Sequence, residues 1–170
     1  MQLNKNIVLI GMMGSGKSTI GYLLSKKLRF KFIDIDQAIE IETGEKIADI
    51  FKFKGEEYFR KIEEKITVKI LKSQNSVIAL GGGAFLNENI RKEALSKCIT
   101  VWLNWNNTTI LKRIAKSKKR PLAFGIKNSE IIQMIDKRSK TYSLSKFKIN
   151  CEKISKNMIV KKIVAIYERL

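Results

Sequence analysis

A glycine-rich segment near the start of the chain limits what this sequence can fold into more than any other feature. Residues 11–18 read Gly-Met-Met-Gly-Ser-Gly-Lys-Ser, which fits the pattern G-x-x-x-x-G-K-[ST] at every fixed position. An apolar run at 6–10 precedes this segment and apolar residues at helical spacing follow it over 17–29, so a strand, a loop and a helix are predicted. Backbone N–H groups and the helix N-terminus then surround phosphate. We predict a nucleoside triphosphate site, with Lys17 on the β- and γ-phosphates and Ser18 on Mg²⁺.

The rest of the chain alternates between short apolar runs and longer segments of helical periodicity. Further strands are predicted at 31–35, 77–80, 99–103 and 147–149, and further helices at 38–71 (interrupted near 43–44 and 54–55), 108–115, 129–142 and 157–170. This alternation predicts an α/β fold with a parallel sheet between helices, whose loops bind ligand at one edge. The 170 residues contain one proline and no repeat or linker, so one domain is predicted.

Composition excludes several classes of protein. The sequence has no histidine and two cysteines, so histidine catalysis, histidine-bound metals and a disulfide framework are excluded. No apolar run approaches the ~18 residues of a membrane span. The N-terminal apolar run leads into a glycine-rich loop, where a signal peptide would have a cleavage site. We predict a cytoplasmic protein with no membrane partner.

The charge is strongly positive. Lys and Arg total 34 against 16 acidic residues, a formal net charge of +18, and residues 112–120 hold six basic residues in nine. Three interpretations stay open: a solvated basic surface, a polyanionic substrate such as phosphates, or nucleic acid. The aromatic residues lack the paired spacing of single-strand binders, so no nucleic-acid partner is predicted.

Two aspartates close the second predicted strand. Along a strand, alternation would place Asp34 and Asp36 on one side and Ile35 on the other. One carboxylate would serve the metal, and the other would orient or deprotonate a substrate hydroxyl. The alternatives are a solvated strand end or a helix N-cap, for which Asp36, standing before Ala38, would be suited. No acidic residue ends the third predicted strand, so Mg²⁺ is predicted to rely on Ser18, phosphates, water and Asp34.

Two further patterns are typical of a ligand site. Arg60 and Glu63 lie three residues apart in the long predicted helix and can face each other. They form either a surface ion pair or an arginine held rigid to meet a substrate carboxylate. Gly81, Gly82 and Gly83 follow a predicted strand directly, and form either a plain turn or a place where backbone approaches a ligand closely.

A basic segment near the middle of the chain ends in Arg120-Pro121. Proline stops the preceding helix, and residues 123–128 are predicted as a loop. In a phosphoryl-transfer enzyme, such a loop would close over the phosphates as a lid, exclude water and bring a charge to the transition state. The alternative is a basic surface loop.

In combination, these features resemble the shikimate kinases over nearly the full chain. The resemblance rests on the ordered segments GMMGSGKST, FIDID, FRKIEE, ALGGGA and KRPLAF, and on Arg138 followed by Tyr142. It implies a P-loop NTPase three-layer sandwich whose five-stranded parallel sheet has the order 2-3-1-4-5. It also implies a single kinase domain over 1–170, a substrate-binding segment at about 34–63 and a mobile lid at about 113–125. The small size and the charge favour a monomer.

The resemblance implies ATP- and Mg²⁺-dependent phosphorylation of a shikimate hydroxyl, giving shikimate 3-phosphate and ADP on the route to chorismate and the aromatic amino acids. It places the ATP phosphates on Gly14, Ser15, Gly16, Lys17, Ser18 and Thr19. It places Mg²⁺ on Ser18 and Asp34, adenine beside Arg113, and the transferring phosphate beside Arg120. It assigns shikimate to Asp36, Arg60, Gly81, Gly82, Gly83 and Arg138, and catalysis to Lys17, Asp36 and Arg120.

The chain departs from the family pattern after Tyr142, where it reads Ser-Leu-Ser-Lys-Phe in place of an acidic, alanine-containing stretch. The C-terminal contact to adenine is therefore unplaced, with residues 153–155 as candidates. Two other functions stay open. One is a kinase of the same fold for a sugar acid or a nucleotide, although Arg60, Gly82 and Arg138 favour a carboxylate acceptor. The other is a nucleic-acid-binding protein regulated by ATP.

Overall fold

The computed structural model describes residues 5–116 and 127–170. Its strands are β1 (Ile7–Ile10), β2 (Lys31–Asp34), β3 (Ser76–Ala79), β4 (Ile99–Asn104) and β5 (Phe147–Asn150). Its helices are α1 (Lys17–Leu28), α2 (Ile35–Thr43), α3 (Ile47–Leu71), α4 (Glu88–Lys97), α5 (Asn107–Ala115), α6 (Asn128–Tyr142) and α7 (Lys156–Glu168), with a 3₁₀ turn at Ala84–Leu86.

Within the described ranges, the five strands form one sheet of order β2-β3-β1-β4-β5, and every neighbouring pair is parallel. The predicted sheet order is confirmed. β1 lies at the centre, where Val8 pairs with Ile78 of β3 on one side and with Thr100 of β4 on the other. Because all strands run in the same direction, the loops that follow β1, β2, β3 and β4 open at a single edge.

The sheet is covered on both faces by apolar side chains. Val8 and Ile10 belong to a buried cluster with α2, α3, α4, α5 and α6, whereas Ile7 and Leu9 belong to a second cluster with α1 and α7. Alternate residues of β1 therefore face opposite layers, and all four are buried. This explains why β1 reads as a continuous apolar run in the sequence. None of the helices in the described ranges has the length and apolar character that a membrane crossing needs.

The predicted ending of the second strand was wrong. β2 ends at Asp34 and α2 begins at Ile35, so Asp36 lies in the first turn of a helix and does not alternate along a strand. The cause is the side chain of Asp34, whose Oδ1 accepts the Asp36 N–H at 3.1 Å and caps the helix. The alternative of a helix N-cap was therefore correct in kind but wrong in its residue, since Asp34 and not Asp36 is the cap.

The long helical region is interrupted as predicted. Gly44 ends α2 with φ +69°, and Gly55 has non-helical angles inside α3. Helix α4 was not predicted. Its boundaries have ordinary causes, because Asn87 caps the helix by accepting the Ile90 N–H at 3.1 Å, and Ile90 and Ala94 bury one face.

Candidate active site

The loop after β1 turns the chain tightly into α1. Gly14 and Gly16 have φ of +79° and +90°, a backbone region that favours glycine. The Lys17 Nζ donates to the carbonyl oxygens of Gly11, at 2.8 Å, and of Met12, at 3.0 Å. The ammonium is thereby held across the opening of its own loop, at the N-terminus of α1. This is an arrangement that binds phosphate.

Ser18 and Asp34 lie side by side at this edge. The Ser18 hydroxyl donates to Asp34 Oδ2 at 2.6 Å, while the other carboxylate oxygen accepts the Asp36 N–H. Ser18 and the neighbouring Thr19 are exposed in the first turn of α1. The pair offers two oxygen ligands of the type that Mg²⁺ prefers. No cluster of three or more histidine, cysteine or acidic side chains suited to a metal occurs in the described part of the chain.

The three glycines after β3 leave room for the side chains around them. A Cβ atom at Gly81 would lie 2.8 Å from Asp36 Oδ1 and 2.9 Å from Glu63 Oε1. A Cβ atom at Gly83 would lie 2.8 Å from an Arg60 guanidinium nitrogen. Any side chain at these two positions would displace polar groups of the site. The glycines therefore form a strip of backbone that acidic and basic side chains approach closely.

Arg60 is held by two carboxylates of its own helix. Its Nη1 donates to Glu63 Oε2 at 2.6 Å, and its Nη2 and Nε donate to Glu56 Oε1 at 3.1 and 3.2 Å. Glu56 is exposed, whereas the Glu63 side chain is only 2% exposed. Burial raises the pKa of Glu63 and the charge of Asp36 acts in the same direction, against the lowering by Arg60 and Arg138. The contact predicted between Arg60 and Glu63 is confirmed, and it fixes the direction of the guanidinium.

Arg138 reaches the same strip from α6. A Cβ atom at Gly82 would lie 3.4 Å from Arg138 Nη1 and also 3.4 Å from the backbone nitrogen of Met13 in the phosphate loop. One turn further along α6, the hydroxyl of Tyr142 donates to the Gly82 carbonyl oxygen. Tyr142 is buried, which raises its pKa to about 12 and keeps the hydroxyl protonated as a donor. Gly82 is thus the point where the phosphate loop and the Arg138 side chain meet.

Arg113 lies on the other side of the phosphate loop. Its Nη1 donates to the Gly14 carbonyl oxygen at 3.2 Å, and its guanidinium carbon lies 3.7 Å from the centroid of the Trp105 ring. The Trp105 Nε1 donates to the Ser15 carbonyl oxygen at 2.9 Å. Trp105 and Arg113 are both partly exposed, so a stacked pair flanks the loop at the surface.

The structure thus gathers the predicted site residues of the described ranges into two groups. Gly14, Ser15, Gly16, Lys17, Ser18, Thr19, Asp34 and Arg113 surround or adjoin the phosphate loop, and Asp36, Arg60, Gly81, Gly82, Gly83 and Arg138 surround the glycine strip. Arg120 lies outside the described residues, as does most of the predicted lid, from residue 117 onward.

Sequence reasoning assigned no place in the site to Glu56, Trp105 or the Tyr142 hydroxyl. Glu56 stands four residues before Arg60, a spacing at which opposite charges on a helix meet, so that signal was available. The bonds of Trp105 to Ser15 and of Tyr142 to Gly82 join residues 90 and 60 positions apart. No local pattern indicates such contacts.

A phosphate-binding loop at the centre of a parallel sheet of order 2-3-1-4-5, next to a glycine strip approached by acidic and arginine side chains, defines a P-loop kinase of small molecules. The family model for shikimate kinase matches residues 13–168. The chain therefore belongs to the shikimate kinase family.

Individual relatives agree with this membership. The shikimate kinase of Persephonella marina is 42% identical over 161 residues, which cover 94% of this chain and 97% of that protein. The crystal structure of shikimate kinase from Aquifex aeolicus superimposes with a TM-score of 0.85 at 37% identity, covering 96% of each chain. A shikimate kinase from Acinetobacter baumannii in complex with shikimate superimposes with a TM-score of 0.90 at 28% identity, covering 97% of this chain and 93% of that one.

Proposed function

We propose that this chain transfers the γ-phosphoryl group of ATP to a hydroxyl of shikimate, giving shikimate 3-phosphate and ADP on the route to chorismate and the aromatic amino acids. The observation that carries the proposal is the position of Gly82. A Cβ atom placed on Gly82 would lie 3.4 Å from the Met13 backbone nitrogen of the phosphate loop and 3.4 Å from Arg138 Nη1. A carboxylate-bearing acceptor on this strip lies directly beside the end of the triphosphate.

In this proposal, the segment from Gly14 to Thr19, which contains Ser15 and Gly16, surrounds the phosphates of ATP. Lys17 would leave its carbonyl partners to contact the β- and γ-phosphates. The oxygens of Ser18 and Asp34 fit Mg²⁺ as a direct ligand and as an outer ligand through water. When bound, Mg²⁺ supplies charge neutralisation at the phosphate oxygens. The remaining ligands would be phosphate oxygens and water.

The acceptor is proposed to bind through its carboxylate and its hydroxyls. Arg60 and Arg138 approach the glycine strip from α3 and α6, and two guanidinium groups suit one carboxylate. The backbone of Gly81, Gly82 and Gly83 would pack against the ring of the substrate. Glu63 and Glu56 hold the Arg60 side chain in place, so that side chain loses less conformational freedom when the substrate binds.

Asp36 is proposed to orient the attacking hydroxyl and to take its proton. The hydroxyl oxygen forms a bond to the γ-phosphorus while the bond from that phosphorus to the β–γ bridging oxygen breaks, and ADP leaves with the electron pair. Asp36 is exposed at the edge of the pocket and its carboxylate adjoins Gly81. A positioned base of this kind contributes about 10²–10⁴-fold to the rate of a proton transfer.

Arg113 is proposed to lie against the adenine base, since it flanks the outer side of the phosphate loop. Arg120 is proposed to contact the transferring phosphate as part of a lid over about 113–125. We further propose that the chain is a single domain that acts as a cytoplasmic monomer, with the small-molecule substrate as its partner and without nucleic acid.

The test is ADP release from MgATP with and without shikimate, comparing the wild type with Asp36→Asn. We expect shikimate-dependent release that falls about 10²–10⁴-fold in kcat in the variant, because the base is lost. Asp136→Asn, at an exposed aspartate of α6, is the matched control and should retain activity. If the rate of ADP release is the same with and without shikimate, the proposed acceptor is wrong. Other hydroxy acids, and then nucleic acids at two salt concentrations, would be assayed next.

A further inference from the structure

Trp105 makes two contacts that the proposed chemistry does not require. Its indole N–H donates to the carbonyl oxygen of Ser15 at 2.9 Å, inside the phosphate loop. Its ring lies under the guanidinium of Arg113 at 3.7 Å, and Arg113 in turn donates to the Gly14 carbonyl oxygen at 3.2 Å. Trp105, Arg113 and the loop therefore form a closed set of contacts that joins the end of β4 and helix α5 to the phosphate site.

The tryptophan is itself held in place. It directly follows β4 and packs against both hydrophobic clusters of the domain. The next residue, Asn106, donates its backbone N–H to Glu152 Oε1 at 2.9 Å, which fixes the loop between β4 and α5. Glu152 also lies close enough to Arg113 for that charge to help lower the pKa of its carboxyl, after its hydrogen bonds to Asn106 and Thr109. The stacking surface is thus rigid on the protein side.

A rigid ring under the guanidinium has a physical consequence for binding. An unrestrained arginine must order its long side chain when a ligand stacks on it, and this ordering weakens binding. The guanidinium of Arg113 already contacts the indole, with its carbon 3.7 Å from the ring centroid, and donates to the Gly14 carbonyl oxygen from one nitrogen. A planar, delocalised cation held in this way can stack on an aromatic ring through its opposite face.

We propose that Trp105 is a positioning residue for nucleotide binding, which holds Arg113 flat so that its opposite face stacks on the purine base, and which ties the phosphate loop at Ser15. The proposal rests on the function proposed above, in which Arg113 lies against adenine. It adds that the affinity for the base depends on a stack of indole, guanidinium and purine in that order.

The test measures ADP binding by calorimetry, together with the steady-state constants for ATP and shikimate. We expect Trp105→Leu to raise the ADP dissociation constant and the ATP KM about tenfold, since the ring that holds Arg113 against the base and the bond to Ser15 are both lost. kcat and the shikimate KM should stay within about twofold, because the transition-state contacts are untouched. Trp105→Phe keeps a ring and loses the N–H bond to Ser15, so about a threefold weakening is expected. The Trp105→Phe variant also keeps the proposal testable if the Trp105→Leu variant folds poorly.

Two further measurements separate positioning from a general structural effect. In an Arg113→Ala background, Trp105→Leu should weaken ADP binding only about threefold, which is the part due to the lost bond to Ser15, because the rest of the effect acts through the arginine. The preference for ADP over CDP should narrow in Trp105→Leu, since the larger base loses more stacking. Tyr22→Leu is the matched control, because Tyr22 is an exposed aromatic whose ring lies 5.5 Å from Lys26 Nζ on α1.

The proposal is overturned if Trp105→Leu leaves ADP affinity within twofold, or weakens it equally with and without Arg113. It is also overturned if kcat and both KM values change together. Failure of the proposed function appears elsewhere, as ADP release that does not respond to shikimate in the wild type. ADP binding needs no acceptor, so the two failures are distinguishable.

Discussion

The phosphate loop and the proposed acceptor pocket differ in how the chain builds them. The loop is one continuous segment, and the contacts of Lys17 to Gly11 and Met12 stay within six residues. The pocket is collected from α2, α3, α6 and the glycines after β3, with its closest side chains on separate elements. A group that recognises phosphate through backbone needs only local turns, whereas a pocket for a carboxylate and hydroxyls needs charged side chains that converge through tertiary packing.

The difference predicts that the two halves can be damaged separately. Among the substitutions that test this comparison, the one at Lys17 should have the largest effect. Lys17→Met should lower kcat about 10²–10³-fold, because a cation aimed at the transferring phosphate is removed from a preorganised site. Shikimate affinity, measured by calorimetry without nucleotide, should change less than about threefold if the halves are independent. Lys27→Met, at an exposed lysine in the last turn of α1, is the control. A matching loss of shikimate affinity would contradict the division into halves.

A methyl group at Gly83 tests the acceptor half from its backbone. Gly83→Ala would place a Cβ atom 2.8 Å from the Arg60 guanidinium, which must then move from its carboxylate partners. We expect the shikimate KM to rise about tenfold or more, which corresponds to a weakened charge-assisted hydrogen bond, with the ATP KM unchanged.

Gly44→Ala is the companion variant, because nothing lies within 4 Å of a Cβ atom there and φ is +69°. It should destabilise the fold by about 1–2 kcal/mol through backbone strain, while the shikimate KM stays near the wild-type value. Thermal unfolding separates the two effects. If Gly44→Ala raises the shikimate KM as much as Gly83→Ala does, the close approach of Arg60 is not the cause.

The smallest effects are expected when the two carboxylates that bind Arg60 are removed one at a time. Glu63→Gln removes the buried partner of Arg60, and Glu56→Gln removes the exposed one. We expect the shikimate KM to rise about tenfold in Glu63→Gln, since Arg60 loses the buried carboxylate that fixes its direction, and less than about twofold in Glu56→Gln, whose carboxylate is exposed. Initial rates at saturating ATP measure both. Equal effects would mean that burial does not distinguish the two carboxylates.

The order of the five strands and of the helices other than α4 was predictable, because most apolar runs and helical segments are longer than the errors of one or two residues at their ends. β1 and α1 differ from their predicted ranges by one residue at one end. The transition at Asp34 was not read correctly, because one side chain decided between continuing a strand and capping a helix. Helix α4 was missed because its apolar face is narrow, with Ile90 and Ala94 as its buried residues.

By itself, the sequence determined the phosphate loop, the parallel sheet with its ligand edge, and the facing of Arg60 and Glu63, because each depends on spacing over a few residues. Only the tertiary structure decided that Glu63 is buried, that Tyr142 holds the Gly82 carbonyl, and that Trp105 supports Arg113. These contacts join residues that are far apart in the chain or depend on how helices pack on the sheet. Packing fixes such distances, and local propensity carries no information about them.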